Sequence, residues 1–359
     1  MAETETLVAA TRVTLPDPKA VLDKLCGHFV EHGTVTRTAD GGRIDSPLGT
    51  AILDVVGDDL RVTAECPNEG ALFIVKSSIA EHIFMFADDE AIDLFWTGDR
   101  SDARDIPYFR EVVVRGACNV TPRMRRITLA CADTRHYETG GMHVGVLIPP
   151  RDRDPVWPWL GADGRAVWPK DEDEITRRVY TIRRIDHERG ELDIDVVLHG
   201  DTPGSVWAMG AKAGDRVGLM GPGGGNIPAV ESYLLVGCET ALPVIARIAA
   251  ELPKHARTTI ILEVADASEE QVISSAATID LRWLHRNGAE AGSTDALFAA
   301  VRDFDWAGNA PDFVLVGCEQ SAARAIRKYL RKERGLGKDQ HLAAAYWRRG
   351  HAGTPEDRD

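Results

Sequence analysis

The chain has 359 residues and a mass of 39.2 kDa, which is too long for one typical core, so two or three domains are expected. Hydrophobic residues make up 44% and charged residues 27%, as in ordinary globular proteins. The formal charge of −14 excludes a general affinity for nucleic acid or anionic membranes, because both surfaces would repel the chain. Any anionic ligand must therefore meet a local group of basic side chains.

The sequence also predicts a cytoplasmic protein without membrane insertion. No run reaches the roughly 18 apolar residues that cross a bilayer, and the first residues lack the basic and apolar regions of a signal peptide. Iron–sulfur clusters and structural zinc need closely spaced thiolates, which this sequence lacks, so no metal centre is expected. The cysteines are scattered: Cys26, Cys66, Cys118, Cys131, Cys238 and Cys318.

Residues 1–104 are predicted to form a small α+β module. Asp17 and Pro18 begin an amphipathic helix that Gly33 ends. Thr50–Val56 and Leu60–Glu65 predict a hairpin, and Ser77–Phe86 predicts a second helix. The module carries no catalytic pattern.

The histidines of the module and its last residues are not predicted to form a functional site. His28, His32 and His82 belong to separate predicted helices, so structural or surface roles are favoured over a metal site. The acidic, polar stretch Thr97–Asp105 predicts a linker.

Residues 105–228 are predicted to form an antiparallel β-barrel, because short extended runs follow one another between turn residues. A long insertion, Pro149–Thr176, interrupts it and carries three tryptophans, which favours a functional loop over a disordered one. The predicted strands are Glu111–Cys118, Met124–Cys131, His143–Ile148, Arg178–Ile185, Leu192–His199 and Arg216–Met220.

Residues 229–359 alternate between apolar runs and helical stretches, which predicts a parallel α/β sheet with helices on both faces. The strands are Tyr233–Gly237, Thr259–Val264, Leu281–His285, Asp312–Gly317 and Leu342–Tyr346. The helices lie near Thr240–Leu252, Thr294–Arg302 and Ser321–Arg334.

The fourth barrel strand places Arg178 and Tyr180 on one face, since side chains alternate along a strand. A guanidinium forks onto a pyrophosphate, and a phenol packs against a flavin or its ribityl chain. The hydroxyl of Thr181 reaches the flavin ring if a bulge turns it inward. The alternative is a half-exposed strand with a surface arginine.

A turn after the next strand suits a phosphate. His199 and Gly200 end that strand, and Gly204 and Ser205 stand where a short helix begins, so free backbone amides and the positive dipole end would face an anion. An ordinary capped helix start is the alternative.

These motifs occur in a fixed order with several others: Val120–Ile127, R-x-Y-T, His199-Gly200, Pro203-Gly204-Ser205 with Trp207, Gly221–Gly224, Glu239–Pro243 and Tyr346–Gly350. In this order the chain resembles the siderophore-interacting proteins, FAD-dependent ferric-siderophore reductases of the ferredoxin-reductase-like superfamily. The resemblance implies that Arg178, Tyr180 and Thr181 hold FAD, with His199, Gly200, Gly204 and Ser205 lining its phosphate side. The first hundred residues resemble a small domain of unassigned function sometimes found fused ahead of these reductases.

The electron donor is less defined. The resemblance implies NADPH or NADH, or else a ferredoxin, and Thr240 is expected to cap the first α/β helix and face a pyrophosphate. Cys238 and Cys318 depart from the family pattern, and Cys318 is either a buried strand-end residue or a neighbour of the nicotinamide. The 2′-phosphate contact stays open among four basic residues: Lys254, Arg282, His285 and Arg286.

The resemblance implies a ferric siderophore as the substrate. Lys170, Arg183 and Arg348 are candidates for a basic wall that binds this anionic complex, although each is otherwise a surface charge. Trp347 either covers the flavin or packs at the sheet edge. The rival functions are a flavin-dependent oxidoreductase with another acceptor and a siderophore-binding flavoprotein without turnover.

Overall fold

A computed structural model describes residues 6–87 and 92–351. The strands are β1 (Leu7–Thr14), β2 (Thr34–Arg37), β3 (Gly41–Ser46), β4 (Gly49–Val56), β5 (Asp59–Cys66), β6 (Trp96–Gly98), β7 (Phe109–Thr121), β8 (Met124–Ala130), β9 (Gly141–Ile148), β10 (Trp159–Leu160), β11 (Ala166–Val167), β12 (Thr176–Asp186), β13 (Glu191–Val197), β14 (Arg216–Gly224), β15 (Ser232–Cys238), β16 (Arg257–Val264), β17 (Thr278–His285), β18 (Phe313–Glu319) and β19 (His341–Trp347). The α-helices are α1 (Pro18–Phe29), α2 (Glu69–Phe86), α3 (Pro203–Gly210), α4 (Leu242–Glu251), α5 (Ala296–Arg302) and α6 (Gln320–Lys332).

The chain divides by its contacts into two compact units. The first takes in the described residues up to Phe109 together with Pro150–Ile175, and the second takes in Arg110–Pro149 and the described residues from Thr176 onward. The domain bounds drawn at residues 104 and 228 stay a prediction. Among the described residues, no helix combines the length and the apolarity that a bilayer crossing requires.

The first unit contains an antiparallel sheet with strand order β2-β3-β4-β5-β1-β6, on which α1 and α2 pack. Asp17 caps α1 by accepting a hydrogen bond from the backbone N–H of Ala20 at 3.0 Å, as the sequence indicated. The predicted hairpin is confirmed as β4 and β5, which pair from Val56 and Asp59 outward.

Other parts of this unit differ from the sequence prediction. The helix expected at Ser77 begins at Glu69, because Asn68 caps it by accepting from the N–H of Ala71 at 2.9 Å. The apolar run that follows Gly70 has no helical periodicity, which hid these first two turns. Strand β6 occupies the start of the expected linker, and β1, β2 and β3 were not anticipated.

The tryptophan-containing insertion folds within the first unit, where β10 and β11 form a short hairpin. The Trp96 indole Nε1 donates to the carbonyl oxygen of Asp163 at 2.9 Å. The guanidinium of Arg165 lies 3.7 Å from the centre of the Phe84 ring. The insertion is therefore an ordered segment docked on the N-terminal module.

The second unit begins with a closed antiparallel barrel of strand order β12-β13-β8-β7-β14-β9, which confirms the predicted barrel. Its interior is filled by buried aliphatic side chains such as Val146, Ile182 and Leu219. The sixth predicted strand, Arg216–Met220, is longer in the structure, because β14 continues through the glycine run after Met220. Gly223 and Gly224 still pair with residues of β9.

A parallel sheet of order β17-β16-β15-β18-β19 follows, with α4 packed on one face and α5 and α6 on the other, as predicted. The chain enters at the central β15, moves out to β17, and then returns across to β18. The strand order therefore reverses between β15 and β18, where open α/β sheets bind ligands at the carboxyl ends of their strands.

The barrel and the parallel sheet are joined within the second unit. Helix α4 packs on β12, and the buried Arg247 donates from Nη1 to the carbonyl oxygen of Ile182 at 3.0 Å. The buried carboxylate of Glu269 accepts from Thr121 Oγ1 at 2.6 Å and from the N–H of Arg123 at 2.9 Å. These bonds fix the barrel strand that carries Arg178 next to the sheet.

Candidate functional site

Arg178 and Tyr180 lie on β12, opposite Val146 and Val144 of β9. The Tyr180 ring stacks near Trp207 of α3, with ring centroids 6.4 Å apart and planes inclined by 27°. Burial raises the pKa of Tyr180 to about 12, so its phenol is protonated and uncharged at neutral pH. It therefore offers an apolar ring and one hydroxyl to a ligand.

The first turn of α3 meets these two side chains at Gly204. A Cβ built on Gly204 would collide with the Tyr180 hydroxyl and would touch Cγ of Arg178 at 3.8 Å. The guanidinium stem, the phenol and the amide-rich helix start are thus neighbours. This is the set of groups that a flavin dinucleotide requires, a cation and backbone amides for the pyrophosphate and a ring for its apolar part, so these residues fit FAD.

A small hydrogen-bond network shapes the turn before α3. The buried Ser205 hydroxyl accepts from the backbone N–H of His199 at 3.0 Å and lies 3.0 Å from Thr202 Oγ1. Gly200 adopts a positive φ of 54°, a conformation that glycine tolerates readily. The hydroxyl of Ser205 therefore holds the turn together, while partial desolvation lowers the pKa of the His199 imidazole below its ordinary value.

Thr181 stands beside a histidine that no sequence pattern singles out. It is 3% exposed and pairs with His143 of β9, and a register irregularity between Ile182 and Arg184 follows it. The Nε2 atom of His143 lies 3.3 Å from the Tyr346 hydroxyl of β19. His143 becomes visible only once the strand register is known, because nothing in its local sequence marks it.

Trp347 lies at the strand-order reversal. Its Nε1 donates to the Cys238 Sγ at 3.4 Å, and a Cβ built on Gly292 would touch its ring at 3.0 Å. The Thr240 hydroxyl is also 3.2 Å from Cys238 Sγ. The expectation that Thr240 caps α4 was wrong, because Ala241 occupies the cap position and no side chain bonds there.

Cys318 is 1% exposed near the end of β18, and its thiol approaches the carbonyl oxygen of Glu319 at 3.6 Å. Burial raises its pKa above the ordinary value, as burial also raises the pKa of Cys238. Both groups are therefore protonated thiols at neutral pH, without the thiolate character of a reactive cysteine. A place for Cys318 beside the nicotinamide stays a prediction.

The three histidines of the N-terminal module do come together. The ring of His28 lies 4.1 Å from that of His82 and 5.1 Å from that of His32, measured between centroids. Across the part of the chain that the structure describes, however, no group of three or more histidine, cysteine, aspartate or glutamate side chains is arranged to hold a metal ion.

Comparison with known proteins identifies the second unit. Residues 113–226 match the family model of the siderophore-interacting FAD-binding domain, and residues 230–350 match that of the siderophore-interacting protein. The ferric vibriobactin reductase ViuB of Vibrio cholerae is 30% identical over 237 residues, which are 64% of this chain and 86% of that protein. The chain belongs to the siderophore-interacting protein family.

Solved structures of this family agree. A siderophore utilization protein from T. fusca is 35% identical with a TM-score of 0.58, and the match covers 69% of this chain and 96% of that one. The siderophore-interacting protein SipS from Aeromonas hydrophila is 29% identical with a TM-score of 0.55, over 68% and 93% of the two chains. Residues 10–97 match a third family model, an uncharacterized protein conserved in bacteria (DUF2218).

In this siderophore-interacting protein the three candidates for the basic wall differ in exposure. Lys170 is exposed in the first unit, directly before the acidic residues Asp171–Asp173. Arg183 is largely buried on β12, where its Nε lies 3.9 Å from Asp195, a carboxylate that Arg126 also binds. Arg348 is exposed beyond the end of β19. Substrate contact by these three residues stays a prediction.

Proposed function

We propose that this chain is an FAD-dependent ferric-siderophore reductase that takes electrons from NADH or NADPH. The observation that carries the proposal is the convergence of Arg178, Tyr180 and the Gly204 turn in a chain of the siderophore-interacting family. The similarity to a protein named ferric vibriobactin reductase supports the reaction type. The comparisons lend no support to the ferredoxin that the sequence left open.

Each residue of the site has a task in holding FAD. Arg178 binds the pyrophosphate by charge-assisted hydrogen bonds, and the first-turn amides of α3 donate to the same anion at the positive end of the helix. The Tyr180 ring would pack against the apolar part of the cofactor, and the Trp207 ring lies nearby, with its centroid 6.4 Å from that of Tyr180. His199 and Ser205 keep the turn in the shape that exposes those amides.

Bound FAD supplies the conversion of a two-electron donor into one-electron steps, which is the chemistry that ferric iron requires. The ferric complex is the substrate, and its hard, anionic oxygen ligands hold the divalent ion more weakly than the trivalent one. Reduction therefore releases the iron. The protein needs to bind the complex within electron-transfer distance, and we place this reaction in the cytoplasm.

The test uses the purified full chain. Flavin absorbance after purification or reconstitution establishes the cofactor, and a ferrous chelator then follows iron release from a ferric tris-catecholate and a ferric trihydroxamate with NADH or NADPH. Coloured ferrous complex that depends on both FAD and donor is the expected result. Iron release with flavin absent, or FAD that neither donor reduces, would overturn the proposal.

Two rival functions give different results in the same assay. A flavin oxidoreductase with another acceptor would consume NADH or NADPH in the presence of a quinone or a dye but not with ferric siderophores. A siderophore-binding protein without turnover would bind the ferric complex and leave its iron trivalent.

A further inference from the structure

We infer that the electron donor of this chain is a nicotinamide dinucleotide without a 2′-phosphate, NADH rather than NADPH. The inference rests on the proposed function and specifies its donor. The observation that carries it is the pairing of basic side chains with carboxylates at the carboxyl ends of β16 and β17. In sheets of this type the adenosine half of a dinucleotide binds on this side of the strand-order reversal.

Arg286 directly follows β17 and would be the natural partner of a 2′-phosphate. Its side chain is 3% exposed, however, and its Nη1 donates to Glu239 at 2.9 Å and approaches Glu263 at 3.4 Å. Glu263 in turn accepts from Thr294 Oγ1 at 2.7 Å. Two buried carboxylates thus neutralise one guanidinium, and moving Arg286 toward a phosphate would leave both of them buried without a counter-charge.

The other basic residues that the sequence left open are also unsuitable. His285 bonds through Nε2 to Glu270 Oε1 at 2.8 Å. Arg282 aligns with Ile261 in the middle of the strands rather than at their ends. Lys254 precedes β16 and so lies toward the amino ends of the strands, away from the carboxyl ends where the dinucleotide would bind.

The edge of the sheet at the carboxyl ends of β16 and β17, called the rim below, carries further acidic groups. Asp266 lies two residues beyond β16; its bonds to Ser268 are the main cause of its lowered pKa, and the nearby charges of Arg123 and His285 add to that effect. Arg123, which precedes β8, is near enough for its charge to act on the Asp266 carboxylate. A 2′-phosphate carrying about two negative charges would meet this acidic surface.

The ribose of NADH places a neutral hydroxyl at the same position. A hydroxyl can donate to an exposed carboxylate such as Asp266 or Glu270, and an acidic residue beyond the second strand is the usual partner of that 2′-hydroxyl in dinucleotide-binding sheets. The rim thus favours a 2′-hydroxyl and disfavours a 2′-phosphate.

The test follows flavin bleaching in the FAD-loaded full chain, anaerobically, after mixing with NADH or NADPH over a range of concentrations. We expect the bimolecular reduction rate with NADH to exceed that with NADPH by about tenfold or more, since like charges oppose the phosphate. Calorimetry with AMP and adenosine 2′,5′-bisphosphate gives a binding readout without turnover. Equal rates, or faster reduction by NADPH, would overturn the inference.

A charge-reversal pair tests the rim itself. Glu270→Lys places a cation beside His285, and it should lower the NADH preference by about fivefold or more because the phosphate then meets attraction. The control is Glu231→Lys, the same charge change at an exposed position ahead of β15, toward the opposite edge of the same sheet. The control should leave the preference within about twofold. An unchanged ratio in Glu270→Lys would contradict the inference.

Failure of the proposed function gives a different pattern. If NADH bleaches the flavin but no ferrous iron forms, the donor inference stands and the reductase proposal falls. If neither nucleotide bleaches the flavin, while the dithionite-reduced protein still releases iron from the siderophore, the donor inference falls and the iron chemistry stands.

Discussion

The backbone of Gly204 lies against the Tyr180 hydroxyl, so a side chain at this position must displace the phenol. We predict that Gly204→Ala weakens FAD binding about tenfold or more, equivalent to about 1.4 kcal/mol. Titrating the apoprotein with FAD and following flavin fluorescence measures this. Gly116→Ala in β7 is the control, because a Cβ built there has no neighbour within 4 Å. Similar losses in both variants would contradict the assignment.

The turn before α3 should respond to acid through His199. Burial lowers the pKa of His199 below its ordinary value of 6.5, so the folded turn prefers the neutral ring. Stability from this group is therefore complete above pH 6.5 and is lost as the pH falls toward the folded-state pKa. We predict that local opening of this turn in the apoprotein, measured by limited proteolysis, increases between about pH 7.5 and pH 5.5 and that His199→Gln removes this dependence.

A second histidine with a lowered pKa provides the control for that experiment. His136 also has a pKa lowered by burial, but it bonds to the carbonyl oxygen of Gly221 and not to the α3 turn. The variant His136→Gln should keep the acid-dependent opening of the α3 turn. If opening of the turn no longer depends on pH in His136→Gln but still depends on pH in His199→Gln, the assignment to His199 is contradicted.

The thiol of Cys318 is predicted to be dispensable for reduction of the flavin. It is buried and protonated, so Cys318→Ala should leave the rate of flavin reduction by NADH within about twofold and lower stability only slightly. Stopped-flow absorbance and thermal unfolding measure the two effects. A large fall in the reduction rate with unchanged stability would place this thiol beside the nicotinamide.

The candidate site residues that share a local pattern could be predicted from the sequence. Arg178 and Tyr180 are two residues apart on one strand, and Gly204 begins a helix, so their chemistry was readable from order and spacing. His143 was not readable, because its relevance comes from the register that pairs it with Thr181 and from Tyr346, 203 residues later in the chain.

Among the elements, the insertion between β9 and β12 depends on the N-terminal module for its order. We predict that Trp96→Phe, which removes the bond to the Asp163 carbonyl, costs about 1 kcal/mol locally and speeds tryptic cleavage within residues 150–175. Mass spectrometry of the fragments measures the rate. Trp306→Phe removes an equivalent bond, from Nε1 to the Val301 carbonyl at 2.9 Å, and should leave this cleavage unchanged. Equal cleavage of the two variants would refute the docking.

The strands of the N-terminal module were harder to predict than those of the barrel and the parallel sheet. The barrel was predictable because short extended runs follow one another between turn residues, and the parallel sheet because apolar runs alternate with helical stretches. In β1 the buried positions include Ala9 and Thr11, whose small or polar side chains hide the alternation, and β6 is only three residues long. Their place in the sheet comes from pairing with distant strands, which local sequence does not encode.

At the scale of the whole molecule, the chain combines a flavin-binding barrel, a parallel sheet and an N-terminal module of an uncharacterized family. The order of the motifs and the alternation of elements predicted the barrel and the sheet. Neither pattern extends into the tryptophan-containing insertion, and its grouping with the N-terminal module emerged only from tertiary contacts. The net charge of −14 carried no information on the site, which depends on a few local groups.

Our central proposal is that this chain holds FAD at Arg178, Tyr180 and Gly204 and passes electrons to siderophore-bound iron. The most direct measurement is anaerobic release of ferrous iron from a ferric tris-catecholate by the FAD-loaded full chain with NADH, compared with Gly204→Ala at an FAD concentration that saturates only the unaltered protein. We expect ferrous iron from the unaltered protein and a loss in the variant that excess FAD restores. No ferrous iron from a fully FAD-loaded protein would contradict the proposal.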